Sequence, residues 1–155
     1  MARQRTIAKD IPLAEITLRR YEKPASLGER ELVRKLCLSL GLLQPGDSRD
    51  IIVDVFSVLL KARKEAKNLT SDEICRLVIE ERKRLNLPML GIASSNIRRQ
   101  LKRLKDLLLV EKRLDAYRII EHSSLGEIFE GKIEKFLLPA ITSRIMEYLK
   151  KIDEL

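Results

Sequence analysis

The stretch Ser94–Leu108, "SSNIRRQLKRLKDLL", constrains the fold more than any other part of this 155-residue chain. Ile97, Leu101, Leu104 and Leu108 step by 4, 3 and 4. On a helix, at roughly 100° per residue, those side chains fall within about 60° of one another. Opposite them lie Ser95, Arg99, Lys102 and Asp106, with Arg98 and Lys105 on one flank and Asn96 and Arg103 on the other. Such a helix needs a core on one side and carries, on the other, charge that a core would reject. The rest of the chain must therefore supply elements that cover the leucines and leave the cations outside.

The charge is uneven along the chain. Ser94–Ile120 holds eight Lys or Arg and three acids, residues 1–25 six against three, and residues 61–84 eight against five. Residues 26–60 and 121–155 are net acidic, so the net charge of +8 sits on particular elements, as a footprint would. A pI near 9.7 favours a polyanionic partner, nucleic acid before an anionic membrane surface.

Composition narrows the remaining classes. No apolar run approaches the ~18 residues of a membrane span, so no membrane partner is expected. The opening "MARQRTIAKDIPLAEI" lacks the continuous apolar stretch of a secretory signal. Cys37 and Cys75 lie among apolar neighbours and read as two buried thiols of a cytoplasmic protein, although spacing alone leaves a disulfide open. Three Asn and three Gln beside abundant Lys, Glu and Arg lean toward a thermophile.

The one histidine, His122, reads as a boundary residue. With two distant cysteines it makes no metal constellation, and the scattered glycines form no phosphate-cradling loop. Most carboxylates fit helix caps or i,i+4 pairs. The expectation is a protein that is not an enzyme and needs no cofactor.

Three S/T-x-x-E capping boxes, at Ser26–Glu29, Thr70–Glu73 and Ser124–Glu127, predict helix starts. The first helix carries Leu32, Val33, Leu36 and Leu40 on one face and ends at Gly41, a good C′ residue. "QPGDS" predicts a turn. In "RDIIVDVFSVLLKARKEA" the polar positions Asp50, Asp54, Ser57, Lys61 and Lys64 step by 4, 3, 4 and 3, which predicts a helix buried on nearly every side but that one. The helix after Thr70 carries Ile74, Leu77, Val78 and Leu85, with Asp72–Arg76 and Glu80–Arg84 as pairs. "NLPMLGI" is a loop, and Ser94 or Ser95 caps the helix that follows. After Leu109 the period falls to 2, predicting a β-hairpin with its turn at Leu114–Asp115. "AEITLRRYEKP" predicts a short strand ending before Pro24. From Ser124 a helix runs to the terminus with a kink at Pro139.

The order from Arg49 to Ile120, namely helix, capped helix, basic helix and two-stranded hairpin, resembles the winged helix-turn-helix superfamily. The closest likeness is to dimeric regulators of the multiple-antibiotic-resistance-regulator type. "LTSDEICRLV" is similar to their positioning helix, and "SSNIRRQLKRLKDLLLVEK" to their recognition helix running into the first wing strand. The loop Asn86–Ala93 is longer than the usual turn between such helices. The likeness implies a mainly α (α+β) fold: a basic arm with a short strand over 1–25, a winged helix-turn-helix domain with a two-stranded wing over 26–122, and a dimerisation helix over 123–155.

It further implies that Ser95, Asn96, Arg98, Arg99, Lys102 and Arg103 face a DNA major groove, with Ser94 holding the helix N-terminus, where free N–H groups can also meet a phosphate. Lys112, Arg113 and Arg118 on the hairpin would grip backbone phosphates. Arg3 and Arg5 would follow the adjacent minor groove. The function so implied is sequence-specific binding of double-stranded DNA by a transcriptional regulator. The alternatives are a winged helix that meets an acidic protein within transcription or replication machinery, and an architectural chromatin protein.

Leu138, Ile141, Ile145, Tyr148, Ile152 and Leu155 step by 3, 4, 3, 4 and 3, a heptad seam. Ile133, Phe136, Leu137 and Ala140 face elsewhere. A helix with two apolar contacts is expected to pack both on its own domain and on a second copy of the chain, with Leu32–Leu40 as a further contributor. The competing expectation is an intramolecular bundle.

Overall fold

In the computed structural model, which describes residues 10–155, helices form over Glu29–Ser39 (α1), Ile51–Lys64 (α2), Ser71–Arg84 (α3) and Ser94–Asp106 (α4). A two-residue strand, Leu69–Thr70 (β1), precedes α3, and Val110–Arg113 (β2) and Ala116–Ile119 (β3) follow α4. A 3₁₀ turn at Ile120–His122 leads into a long C-terminal helix: Leu125–Ile128 (α5), a π-helical stretch Phe129–Leu137, and Leu138–Asp153 (α6). The architecture is mainly helical with a small antiparallel sheet, as the sequence predicts at the level of class.

The β-branched run of α2 is the hub. It touches α1, α3, α4 and β3, and nine of its fourteen residues are buried. Val53, Val55, Phe56 and Leu59 are fully enclosed, and α4 returns Ile97, Leu101 and Leu104 to the same core. Burying three aliphatic side chains contributes roughly 5–9 kcal/mol, which is what seats α4. The strands run in the order β1–β3–β2, all antiparallel, with Val110 opposite Ile119 and Arg113 opposite Ala116. Strand β1 was not anticipated, because two residues are too few for alternation to be read.

The polar stripe of α2 is not a solvated face throughout. Asp54 is 0% exposed and accepts from both Arg30 of α1 and Arg82 of α3. Asp50 joins them, 3.0 Å from Arg30 and 3.2 Å from Arg82. The Nε of Arg82, a residue only 3% exposed, donates to the Pro88 carbonyl at 2.8 Å. The cluster thus ties three helices and the loop before α4 together.

Helix ends follow one pattern. After α1, the Gly41 N–H donates to the Leu38 carbonyl and the Leu42 N–H to that of Cys37, a Schellman motif with Gly41 at φ +73°, as predicted. The same pair of bonds closes α2 at Ala66, α3 at Asn86 and α4 at Leu108, all at positive φ without glycine. Leu108 therefore leaves the apolar row, and Leu107 and Leu109 take core positions instead. The "QPGDS" turn forms, with Gly46 at φ +81°.

Helix starts are mixed. Thr70–Glu73 makes a complete capping box, and the Ser124 hydroxyl accepts from the Glu127 N–H at 3.2 Å. Ser26 makes no cap: it sits at φ +61°, and α1 begins at Glu29 with Gly28 before it. Ser94 and Ser95 do not cap α4 either, whose N-cap position is Ala93. On α3 the expected pairs give way to Arg76–Glu80 and Arg84–Glu81.

The strand expected in Ala14–Pro24 does not form. The Arg19 N–H donates to the Ser39 carbonyl at 2.8 Å, and its guanidinium reaches the carbonyls of Leu38 and Leu43. A helix end offers two or three carbonyls rather than a ladder, so the segment is a strap over the end of α1. At Pro139 the chain does not break: residues 137 and 138 keep right-handed helical angles, and Pro139 falls in the first turn of α6. Both cysteines are free thiols, Cys37 buried and Cys75 half-buried. Burial pushes the Cys37 thiol up to about 12. No described helix is long and apolar enough to cross a membrane.

Candidate nucleic-acid interface

Because Ile97, Leu101 and Leu104 are locked into the core, the opposite face of α4 is fixed outward. Ser94, Ser95, Arg98, Arg99, Lys102 and Lys105 are exposed along it. Among the described residues, Arg98, Arg99 and Lys105 make no side-chain hydrogen bond or ion pair, so their charge is uncompensated locally. Lys102 pairs with Asp106 at 2.8 Å across one turn. That pair is open to solvent, where such contacts are worth about 0.3–0.5 kcal/mol, and a stronger anion can displace it. Lys105 belongs to this face but was absent from the residues the likeness singled out. Its place on the helix, beside Arg98 on one flank of the outer stripe, is the signal that finds it.

Three candidates are bound up in the structure itself. Arg103 donates to the Leu42 carbonyl at 2.6 Å, to that of Gly41 at 3.3 Å and to Gln100 Oε1 at 2.8 Å, capping the end of α1. Asn96 Nδ2 donates to the Gly91 carbonyl at 2.8 Å, and its Oδ1 accepts from Gln100 at 3.2 Å. These two residues brace α4 against the loop before it and the end of α1. Arg118 donates to Glu111 across the hairpin at 3.0 Å.

The hairpin extends the basic surface. Val110 and Ile119 hold it to the core, while Lys112 and Arg113 are exposed beside a two-residue turn at Leu114–Asp115. The Lys112 ammonium lies 5.6 Å from the centre of the Tyr117 ring, its partner across the strands, which steadies it without neutralising it. Glu111 is partly buried, which pushes its carboxyl up. The Glu121 N–H at 2.8 Å and the Arg118 guanidinium outweigh that and hold it below the usual carboxylate range. Glu111 thereby ties the hairpin to the 3₁₀ turn that leads into the C-terminal helix. Arg3 and Arg5 lie outside the described residues.

The seam is the second surface. Leu138 and Ile141 are half-buried, whereas Ile145 is 51%, Tyr148 67% and Ile152 59% exposed, with Leu155 fully so. No residue of α6 is buried, which contradicts the intramolecular bundle. The other set splits: Ile133 is buried in the domain, but Phe136 and Ala140 are exposed. Leu32, expected on the core face of α1, is also exposed, because that helix turns Cys37 and Leu38 inward. Among the described residues no group of His, Cys, Asp or Glu is arranged to hold a metal ion. No protein family, curated protein or solved structure matches this chain.

Proposed function

We propose that this chain binds double-stranded DNA sequence-specifically as a homodimer, with α4 in the major groove, in the manner of a winged helix-turn-helix transcriptional regulator. The observation that carries the reading is α4: a helix seated by three enclosed aliphatics whose outer face holds Arg98, Arg99 and Lys105 without a partner among the described residues, beside Lys102 in an exposed pair with Asp106. The major groove, roughly 12 Å wide, admits one helix, and Arg can bond guanine bidentately there. The order α2, β1, α3, α4, β2, β3 is compatible with a wing beside the reading helix, and Lys112 and Arg113 then meet backbone phosphates. Arg103 and Asn96 support these elements rather than touch the bases, and Arg118 holds Glu111 rather than a phosphate.

The exposed heptad seam of α6 fits a second copy of the same helix, since its 3,4 spacing is that of a helix–helix contact. Two subunits would set their α4 helices on half-sites about one helical turn apart. Duplex binding tests the reading: Arg98→Glu should abolish retention of a duplex that the parent holds in low salt. A parent that holds no duplex overturns it.

A further inference from the structure

The cleft beside α4 shares Arg99 with the outer face of that helix and is otherwise unassigned. It is about 560 Å³ and lies between the α1–α2 turn, the first turn of α2, the loop before α4 and one flank of α4. Arg49 comes from the turn, and Arg99 and Arg103 from α4; the only carboxylate in the lining is Asp47. Most of the polar lining is already occupied. Arg103 is spent on the carbonyls of Gly41 and Leu42, and Asn96 and Gln100 on each other and on Gly91. Gln44 accepts from Arg19, and Asp47 accepts from the backbone N–H of Arg49 at 2.9 Å. Two guanidiniums remain, Arg49 and Arg99, both exposed and both without a side-chain partner among the described residues.

We propose that Arg49 and Arg99 together bind a phosphate group in this cleft. Each guanidinium is a planar fork of N–H donors. Two forks arriving from separate segments bring two positive charges and several N–H donors, and the tetrahedral oxygens of a phosphate or phosphodiester can accept from both directions. The sources differ but the chemistry is shared: the DNA backbone at the rim of the groove that α4 enters, or a small phosphorylated molecule. The first source rests on the DNA reading above; the second does not.

Arg49→Ala decides between them, since Arg49 has no side-chain hydrogen bond or ion pair to lose among the described residues and lies outside the face used for base reading. If the phosphate belongs to DNA, the variant weakens all duplexes alike and lowers the magnitude of the log–log salt slope by about one per subunit. In parallel, inorganic pyrophosphate is titrated into the full chain without DNA while the backbone amide resonances of Asp47, Arg49 and Gly91 are followed. Shifts in the parent that vanish in Arg49→Ala, with an unchanged DNA slope, assign the site to a free phosphorylated ligand. An unchanged slope with no pyrophosphate shifts overturns the proposal. Should the parent bind no duplex at all, the DNA reading fails, and the pyrophosphate titration alone then decides the cleft.

Discussion

Asp54 has no exposed surface, and two arginines from different helices converge on it. Removing Asp54 leaves Arg30 and Arg82 to share Asp50, one buried positive charge short of a counterpart, which costs about 3–5 kcal/mol. Asp54→Ala is therefore expected to lower the unfolding free energy by that amount. A urea titration that finds less than about 1 kcal/mol would show that water already reaches Arg30 and Arg82. None of this was legible in the sequence, where Asp54 looked like one more polar position on a solvated stripe. The same holds for the basic candidates. Arg98, Arg99 and Arg103 are alike as letters, but Arg103 is committed to a carbonyl 61 residues away. Periodicity locates a side chain on a face; it does not say whether that face meets water or a distant backbone group.

At the scale of elements, α2 and α4 and the β2–β3 hairpin were readable because each repeats its pattern over enough residues. The strap at Ala14–Pro24 alternates like a strand, yet its partner is a helix end. The link between hairpin and C-terminal helix depends on Glu111, whose folded-state carboxyl is held below its ordinary value. Its contribution to stability is complete above the unfolded value, near about 4.3, and is lost as pH falls through the lower folded one. As pH falls below about 4.3 the protection of the Glu121 amide, relative to its intrinsic exchange rate at each pH, should accordingly decline, while the amides of α2 stay protected. In Glu111→Gln that step should be absent. Identical exchange profiles in the variant and the parent would refute the link.

For the whole molecule, the seam was visible in the sequence but its environment was not. A heptad row looks the same whether it packs on its own domain or stands free, and only the fold shows that, among the described residues, none of α6 is buried. Since α6 adds nothing to the core, Ile145→Asp should leave each subunit folded. A charge buried without a partner costs several kcal/mol, and the twofold axis places two of them close together. The variant should therefore sediment as a folded monomer beside a dimeric parent. It should bind a palindromic duplex far more weakly, because the two half-sites are no longer linked. A parent that is already monomeric would mean that the seam meets something other than its own copy.

The central claim, that α4 and the hairpin form a phosphate-neutralising DNA surface, is tested most directly by the affinity of the parent chain for duplex DNA across a range of salt concentrations. If each subunit neutralises roughly four to six phosphates, the log–log slope for the dimer lies near −7 to −11. A slope flatter than about −2 would contradict the claim, because phosphate contacts on that scale cannot form without releasing counterions.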